Sequence, residues 1–325
     1  MKTLLFRIYD LLLSPLTFIA AIHMRTLRRY GLPNFPIAHK ILFKVGILPI
    51  SRHFYEPLFH PDDLKRPLKN LRHLPGIEFD LKSQLALLKR FRYNDEILRY
   101  FDGASAGLPG CKFVLANPGF REGDVELYYN VVRNFKPSRI IEIGSGYSTM
   151  VALQAAHENE TENPAHRCAV AAIEPYPWFK HEKLNLMPKF VEDVEVGVFT
   201  QLRQNDILFI DSSHMIRPQG DVLYEILELL PALAPGVLVH VHDVFTPSDY
   251  LEDWLKVHSR FWNEQYLVEA FLSCNDQFKV LLSPNYLQVH HPRELLDCCP
   301  LLARNPASPI HSFWFQRISS GIASA

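Results

Sequence analysis

The sequence is poor in the features that mark several protein classes, and each shortage removes one. Its five cysteines, Cys111, Cys168, Cys274, Cys298 and Cys299, form no C-x-x-C pair and no regular spacing. That excludes a zinc-ribbon or disulfide scaffold and suits a reducing compartment. The vicinal pair Cys298-Cys299 is read as ordinary packing. Neither sign of charge dominates: 34 basic and 35 acidic residues leave a net charge of -1. A broad positive field for nucleic acid is thereby lacking, and no nucleic-acid partner is expected. The chain has no internal repeat and no low-complexity tract. A clean signal peptide is missing as well. Leu4 to Met24 is mostly apolar but is interrupted by Arg7, Asp10 and Pro15, and Ala20-Ala21-Ile22 is a poor cleavage site followed at once by His23, Arg25, Arg28 and Arg29. A cytoplasmic protein is expected. The basic cluster beside an apolar helix suits peripheral attachment to the anionic inner face of a membrane. Packing of that helix on the protein's own core, or on a second copy in a homo-oligomer, suits it equally.

What is present points to a globular α/β protein. Hydrophobic residues make up 48% of the chain and charged ones 21%, enough apolar material for a large core and no compositional case for disorder. Three segments are expected: an amphipathic or membrane-interface helix over 1–30, a helical and irregular wrapping extension over 31–115, and a catalytic domain over 116–325. The extension is punctuated by Leu32-Pro33, Phe35-Pro36, Leu48-Pro49, Glu56-Pro57 and Leu74-Pro75. Within it Leu81, Leu85, Leu88, Phe91 and Leu98 recur at roughly helical spacing and predict a helix over Asp80–Phe101.

From about Asp124 strands and helices alternate, the pattern of a parallel sheet covered on both faces. The reading is a helix at Val125–Phe135, a strand at Arg139–Ile143, a helix at Ser148–His157, a strand at Cys168–Ile173 and a helix near Trp178–Leu186. Further strands are expected at Lys189–Glu192, Asp206–Ile210 and Gly236–Val241, with late β-like runs at Phe278–Ser283 and Ser312–Ile318.

Open parallel sheets bind ligands outside the carboxyl ends of their strands, and that is where chemistry-bearing residues collect. Gly144 and Gly146 allow a tight turn and close backbone approach, while a helix opening near Ser148 aims N–H groups at the same place. Glu142 ends its strand, suited to an ammonium group, and Glu174 ends the next, suited to ribose hydroxyls. Thr149 stands where a dinucleotide fingerprint needs a small third residue, and the loop has no P-loop Lys-Ser/Thr. An acidic Glu142 fits a zwitterionic adenosyl ligand better than a pyrophosphate.

At these residues the chain resembles the class I S-adenosylmethionine-dependent methyltransferases, and more narrowly a bacterial subgroup known as methyltransferase type 24. Ile141-Glu142-Ile143-Gly144-Ser145-Gly146-Tyr147-Ser148-Thr149 is similar to the family's first motif, and Ile173-Glu174-Pro175 to its ribose-binding position. Asp206 to His214, Gly236 to Pro247 and Arg260 to Tyr266 are similar to later signatures. The resemblance implies a Rossmann-like seven-stranded sheet with the last strand antiparallel, behind an N-terminal helical, Pro-rich extension. It implies S-adenosyl-L-methionine as cofactor, with Gly144, Ser145 and Gly146 around the methionine portion, Glu174 on the ribose and Asp193-Val194 near the adenine. Ser148, Thr149 and Asp211 complete the expected cofactor set.

Asp211, His214, His242 and Asp243 form a second constellation at the same mouth. In one reading His214 or His242 is a general base, with Asp243 beside it. In the other Asp211 and Asp243 hold Mg2+ or another divalent cation, as in cation-dependent O-methyltransferases. Trp262 and Tyr266, with Phe261, are candidates for an apolar lid, and Asn263 and Glu264 for holding a polar substrate; packing in a buried segment is the alternative for these aromatics. The expected activity is methyl transfer to a small-molecule or glycan acceptor at oxygen or nitrogen. An NAD-dependent oxidoreductase on the same fold and a non-catalytic membrane-associated binding module are the alternatives.

Overall fold

A computed structural model of the chain describes residues 2–103 and 107–318. It divides into two compact units, Met1–Pro67 and Leu68–Ala325. The division falls inside the expected 31–115 extension, because Leu87, Leu88, Phe91, Ile97, Phe101 and Leu108 are buried in the core of the second unit. In the first unit, α1 (Lys2–Tyr30) is followed by α2 (Pro36–Val45), whose end is set by Gly46 in the left-handed conformation (φ +78°).

The second unit begins with α3 (Leu81–Leu88) and α4 (Asn94–Phe101) in place of the single helix that the spacing predicts. Asp80 caps α3 by accepting the Ser83 N–H at 3.2 Å. The chain then turns to bury Phe91, and Asn94-Asp95-Glu96 starts a fresh helix with its acids in the first turn. α5 (Asp124–Phe135) follows, then β1 (Arg139–Ile143), α6 (Tyr147–Glu162), β2 (Ala169–Ile173), β3 (Leu184–Met187), β4 (Ile207–Ile210), β5 (Leu238–His242), β6 (Phe278–Leu282) and β7 (Ser312–Arg317). The expected helix at Trp178–Leu186 and strand at Lys189–Glu192 are corrected. β3 pairs with β2 from Val170↔Leu184 to Ile173↔Met187, and Val191–Asp193 is a 3-10 turn. Strand pairing overrides the helix preference of Leu-Asn-Leu-Met.

The sheet order is β3-β2-β1-β4-β5-β7-β6. The first five strands are parallel, and β7 runs antiparallel to both neighbours, β5 and β6. This is the seven-stranded, Rossmann-like arrangement that the resemblance implies. Side-chain alternation sorts the strands onto two cores. Ile140, Val170, Phe209 and Leu238 face α3 to α6, while Ile141, Ile173, Leu208 and Val239 face the helical segment 221–232 and the helix Glu264–Leu272.

α5 is buried along most of its length, so its polar side chains need partners. Glu126 accepts the Gly123 N–H at 2.7 Å and the Leu302 N–H at 3.1 Å. Arg133 binds both oxygens of Glu96, at 2.8 and 2.9 Å. These bonds fix α5 against the chain's C-terminal segment and against α4, and so fix the helix whose Tyr128 reaches the site.

Candidate functional site

Backbone hydrogen bonds knit three strand ends into one platform. Gly144 N–H donates to Ile173 O and Asp211 N–H to Ile143 O, each at 2.9 Å. Gly144 has φ +93°, and a Cβ there would lie 2.5 Å from the Asp211 carbonyl oxygen, so only glycine fits. Beside it a cavity of about 450 Å³ is lined by Ser145, Gly146, Ser148, Trp178, Asp211 and Gly119, among others. Among the described residues the buried Ser145 hydroxyl has no hydrogen-bond partner. At Gly146 a Cβ would meet only the exposed Trp178 ring, at 3.1 Å.

Glu142 lies beneath this loop, fully buried. Tyr128 OH donates to its Oε1 at 2.9 Å, and the Thr149 hydroxyl donates to Oε2 while accepting the Gly146 N–H at 2.9 Å. Both carboxylate oxygens are thus engaged in holding the loop and the start of α6. Burial pushes Glu142 up to about 7, against the lowering effect of Thr149 and Tyr128. Glu174 ends β2, and its Oε1 accepts the Tyr176 N–H at 2.7 Å, which aims the carboxylate. Asp193 is exposed in the 3-10 turn after β3.

The second cluster forms where β4 and β5 end. His214, with φ +60°, is buried under the ring of Trp262, centroids 4.3 Å apart. Its Nδ1 meets Glu264 Oε2 at 2.8 Å, and its Nε2 lies 3.4 Å from Asp211 Oδ1 and 3.5 Å from Asp243 Oδ2. Burial lowers the His214 pKa, but Asp211, Glu264 and Asp243 together outweigh it and raise it well above normal. Asp243, also left-handed (φ +55°), takes His311 Nδ1 at 2.7 Å on Oδ1. Burial opposes its charge, yet His242, His311 and His214 hold its carboxyl well below the usual range. Among the described residues the ligating atoms of Asp211, His214 and Asp243 lie within 4.8 Å of one another, as do those of His242, Asp243 and His311.

The remaining expected site residues divide between support of this cluster and contacts elsewhere. His242 Nε2 lies 3.0 Å from the Gly119 carbonyl; a carbonyl only accepts, so Nε2 carries the proton, and among the described residues the buried Nδ1 has no partner. Asn263 Oδ1 accepts the Ile216 N–H at 2.7 Å and shapes the loop after His214. The Tyr266 hydroxyl donates to Asp249 Oδ1 at 3.1 Å, beneath the Arg72 guanidinium, and does not join the Trp262 ring over His214. Glu264 is fully buried under His214, placed to orient the imidazole instead of meeting a substrate at the surface. His240 is sealed between Phe209 and Trp314, its pKa lowered by burial, and is core.

Residues 141–244 match the model of a family described as a methyltransferase domain. The chain is 25% identical over 179 residues to an uncharacterized protein of Archaeoglobus fulgidus, covering 50% of this chain and 78% of that one. A solved O-methyltransferase from Bacillus cereus, in complex with S-adenosylhomocysteine, is 11% identical, with a TM-score of 0.37, over 71% of this chain and 100% of that one.

The matched segment opens within β1 and closes just past Asp243, so it spans the loop and both Asp/His strand ends. Sequence reasoning missed the partners that lie outside it or bear no motif: Tyr128 on α5, the Gly119 carbonyl, and His311 at the start of β7. Only the strand-like run beginning at Ser312 hinted that His311 would stand at a strand end. Glu225 is a fourth omission. It is fully buried in a π-helical turn, accepts the Ser212 hydroxyl at 3.0 Å, and is raised well above normal by burial and by Glu264. Such turns recur at functional sites.

The Glu142 carboxyl makes a testable contribution to stability. Its folded-state pKa stands above the ordinary 4.5, so its contribution is complete below that value and is lost as pH rises towards about 7. Glu142→Gln is expected to flatten the dependence of the urea midpoint on pH across that interval. Parallel profiles for the two proteins would refute the assignment.

Proposed function

We propose that the chain catalyses S-adenosylmethionine-dependent methyl transfer to a hydroxyl-bearing small molecule or glycan. The observation that carries this reading is the juxtaposition, on one strand-end platform, of a side-chain-intolerant glycine loop lining a cavity of about 450 Å³ and the Asp211/His214/Asp243 cluster. The unpartnered Ser145 hydroxyl beside the cavity, on a loop that Gly144 lets pack directly against the Asp211 backbone, fits a polar ligand lying close over the backbone. The Ser145 and Gly146 backbone would hold the methionine portion, Glu174 the ribose, and Asp193 the adenine end. When bound, the cofactor supplies an electrophilic methyl group on a sulfonium. The chain's own part is to orient the acceptor and exclude water, and the Trp262 ring covering His214 serves both.

Of the two readings of the cluster, geometry favours the cation. His214 has carboxylates on both ring nitrogens, so neither nitrogen is free to take a proton from an acceptor. Asp211, His214 and Asp243 would be the ligands, the cation displacing the proton from His214 Nε2 and Glu264 fixing the imidazole through Nδ1, as carboxylates do behind metal-bound histidines. A nitrogen in the donor set suits Mn2+ or Zn2+ better than Mg2+. A bound cation supplies acidification of an acceptor hydroxyl.

Calorimetric titration of chelator-treated protein with S-adenosylhomocysteine, NAD and Mn2+ separates the possibilities. Binding of S-adenosylhomocysteine and of one Mn2+ per chain is expected, with no heat from NAD. NAD binding without S-adenosylhomocysteine binding would transfer the fold to an oxidoreductase. S-adenosylhomocysteine binding without Mn2+ binding would leave His242, whose Nδ1 is unengaged, as the base.

A further inference from the structure

The unit Met1–Pro67 carries a surface that methyl transfer does not use. Leu4, Phe6, Leu11, Leu12, Leu16 and Phe18 of α1 are each more than 60% exposed. The helix is long and apolar enough to cross a membrane, and none of its most apolar window is buried. Its polarity is nevertheless arranged. Thr3, Arg7, Asp10, Ser14, Thr17 and Ala21 recur every three or four residues and so fall on one narrow stripe, which Arg25 and Arg28 extend, while the large apolar side chains sweep the remaining circumference. Crossing a bilayer would place Arg7 and Asp10 in hydrocarbon. Lying in the membrane plane keeps the whole stripe at the level of the headgroups.

The unit's own packing agrees with that orientation. Near the C-terminal end of α1, the loop carrying Ile50, Arg52 and Glu56 closes on the stripe. Arg28 grips Glu56, with Nε 2.7 Å from Oε1, and the loop and helix enclose a cavity of about 910 Å³. Protein therefore stands on the polar side of the helix there, and also over Leu27, which is 2% exposed. Inside the cavity wall Arg28 is neutralised by Glu56, and Arg52 by Asp63. Arg25 and Arg29 line the same cavity, and among the described residues neither is paired with a carboxylate. Phe54 and Tyr55, 81% and 84% exposed, stand on the adjoining loop, the kind of side chain that settles at a membrane–water boundary.

We propose that residues 1–67 dock on an anionic phospholipid bilayer, with α1 lying in its surface, the apolar flank among acyl chains, and Arg25 and Arg29 engaging lipid phosphates. The complementarity is twofold: unpaired cations border a broad apolar flank, as anionic headgroups border acyl chains.

Full-length protein is to be tested for flotation with vesicles of phosphatidylcholine alone and of phosphatidylcholine mixed equally with phosphatidylglycerol. Strong binding to the mixed vesicles is expected, weakened about 30-fold by Arg25→Ala with Arg29→Ala, since each basic residue near such a surface contributes about a factor of five. Leu12→Asp should abolish flotation with S-adenosylhomocysteine binding retained, which guards against a folding defect. Equal binding to both vesicle types, indifferent to the arginines, would overturn the headgroup assignment. Absence of flotation together with concentration-dependent self-association would give the apolar flank to a second copy of the chain. In bound protein, Thr3→Cys and Arg25→Cys should both react with a membrane-impermeant maleimide added outside. Protection of Thr3→Cys alone would overturn the in-plane orientation in favour of a span.

Discussion

Gly144→Ala is expected to lower S-adenosylhomocysteine affinity by about 100-fold or more, the equivalent of roughly 3 kcal/mol. Two costs combine. The residue must keep φ near +93°, which costs an L-residue about 1–2 kcal/mol. Its Cβ must also avoid a backbone oxygen 2.5 Å away, and the Asp211 carbonyl cannot retreat freely because the neighbouring N–H groups of Gly144 and Asp211 are tied to β2 and β1. The loop is therefore pushed into the cavity that the ligand would fill. Gly146→Ala is the control: its Cβ meets the edge of an exposed indole that can swing aside, and only a few-fold loss is expected, well under 1.4 kcal/mol. Calorimetry on both variants, with melting curves to verify folding, decides the matter. Unchanged affinity in Gly144→Ala would remove the loop from the binding site.

Asp243→Ala is expected to be the most damaging single change in the second cluster. Asp243 bonds His311 and lies within 4.0 Å of both His214 and His242, so removing it leaves several buried imidazoles facing one another without the charge that compensates them. Loss of one partner from a buried ionic group costs about 3–5 kcal/mol, which for a unit of this size lowers the melting temperature by about 10 °C. Mn2+ binding should disappear in the same variant. Asp243→Asn keeps the shape and should retain more of the stability while still losing the metal. A melting temperature and Mn2+ affinity equal to the parent's would show that the cluster neither supports the fold nor holds a cation.

Much of this was legible where local rules and global fold agree. β1 was readable residue for residue because Arg139-Ile140-Ile141-Glu142-Ile143 is a short apolar run between Ser138 and a loop glycine, and the fold then buries both of its faces. β3 was not readable because Leu184-Asn185-Leu186-Met187 prefers a helix, and only the edge of β2, distant in local terms, makes it a strand. The Asp80–Phe101 periodicity was real, yet periodicity cannot announce that Phe91 will turn inward and break the helix. The candidate site shows the same division. Glycine and strand-end acids are local signals and led to the loop that lines the cavity. Glu264 and Tyr266 lie two residues apart in one motif, yet one supports His214 and the other bonds Asp249; only packing separates them. His311 sits 68 residues beyond its partner Asp243, and no spacing rule reaches so far.

The position of β7 has a consequence for synthesis. It enters the sheet between β5 and β6, which are both made earlier, and it brings His311 to Asp243 as it arrives. On the ribosome the glycine loop and the β4 and β5 ends emerge long before this strand does. Until residues 312–317 are out, β5 and β6 must wait with their facing edges unpaired, the condition in which nascent chains are prone to aggregate. Long-range closure of this kind also slows folding. The half of the site proposed to hold the cofactor can thus take shape during translation, whereas the Asp243–His311 contact forms only once β7 has emerged.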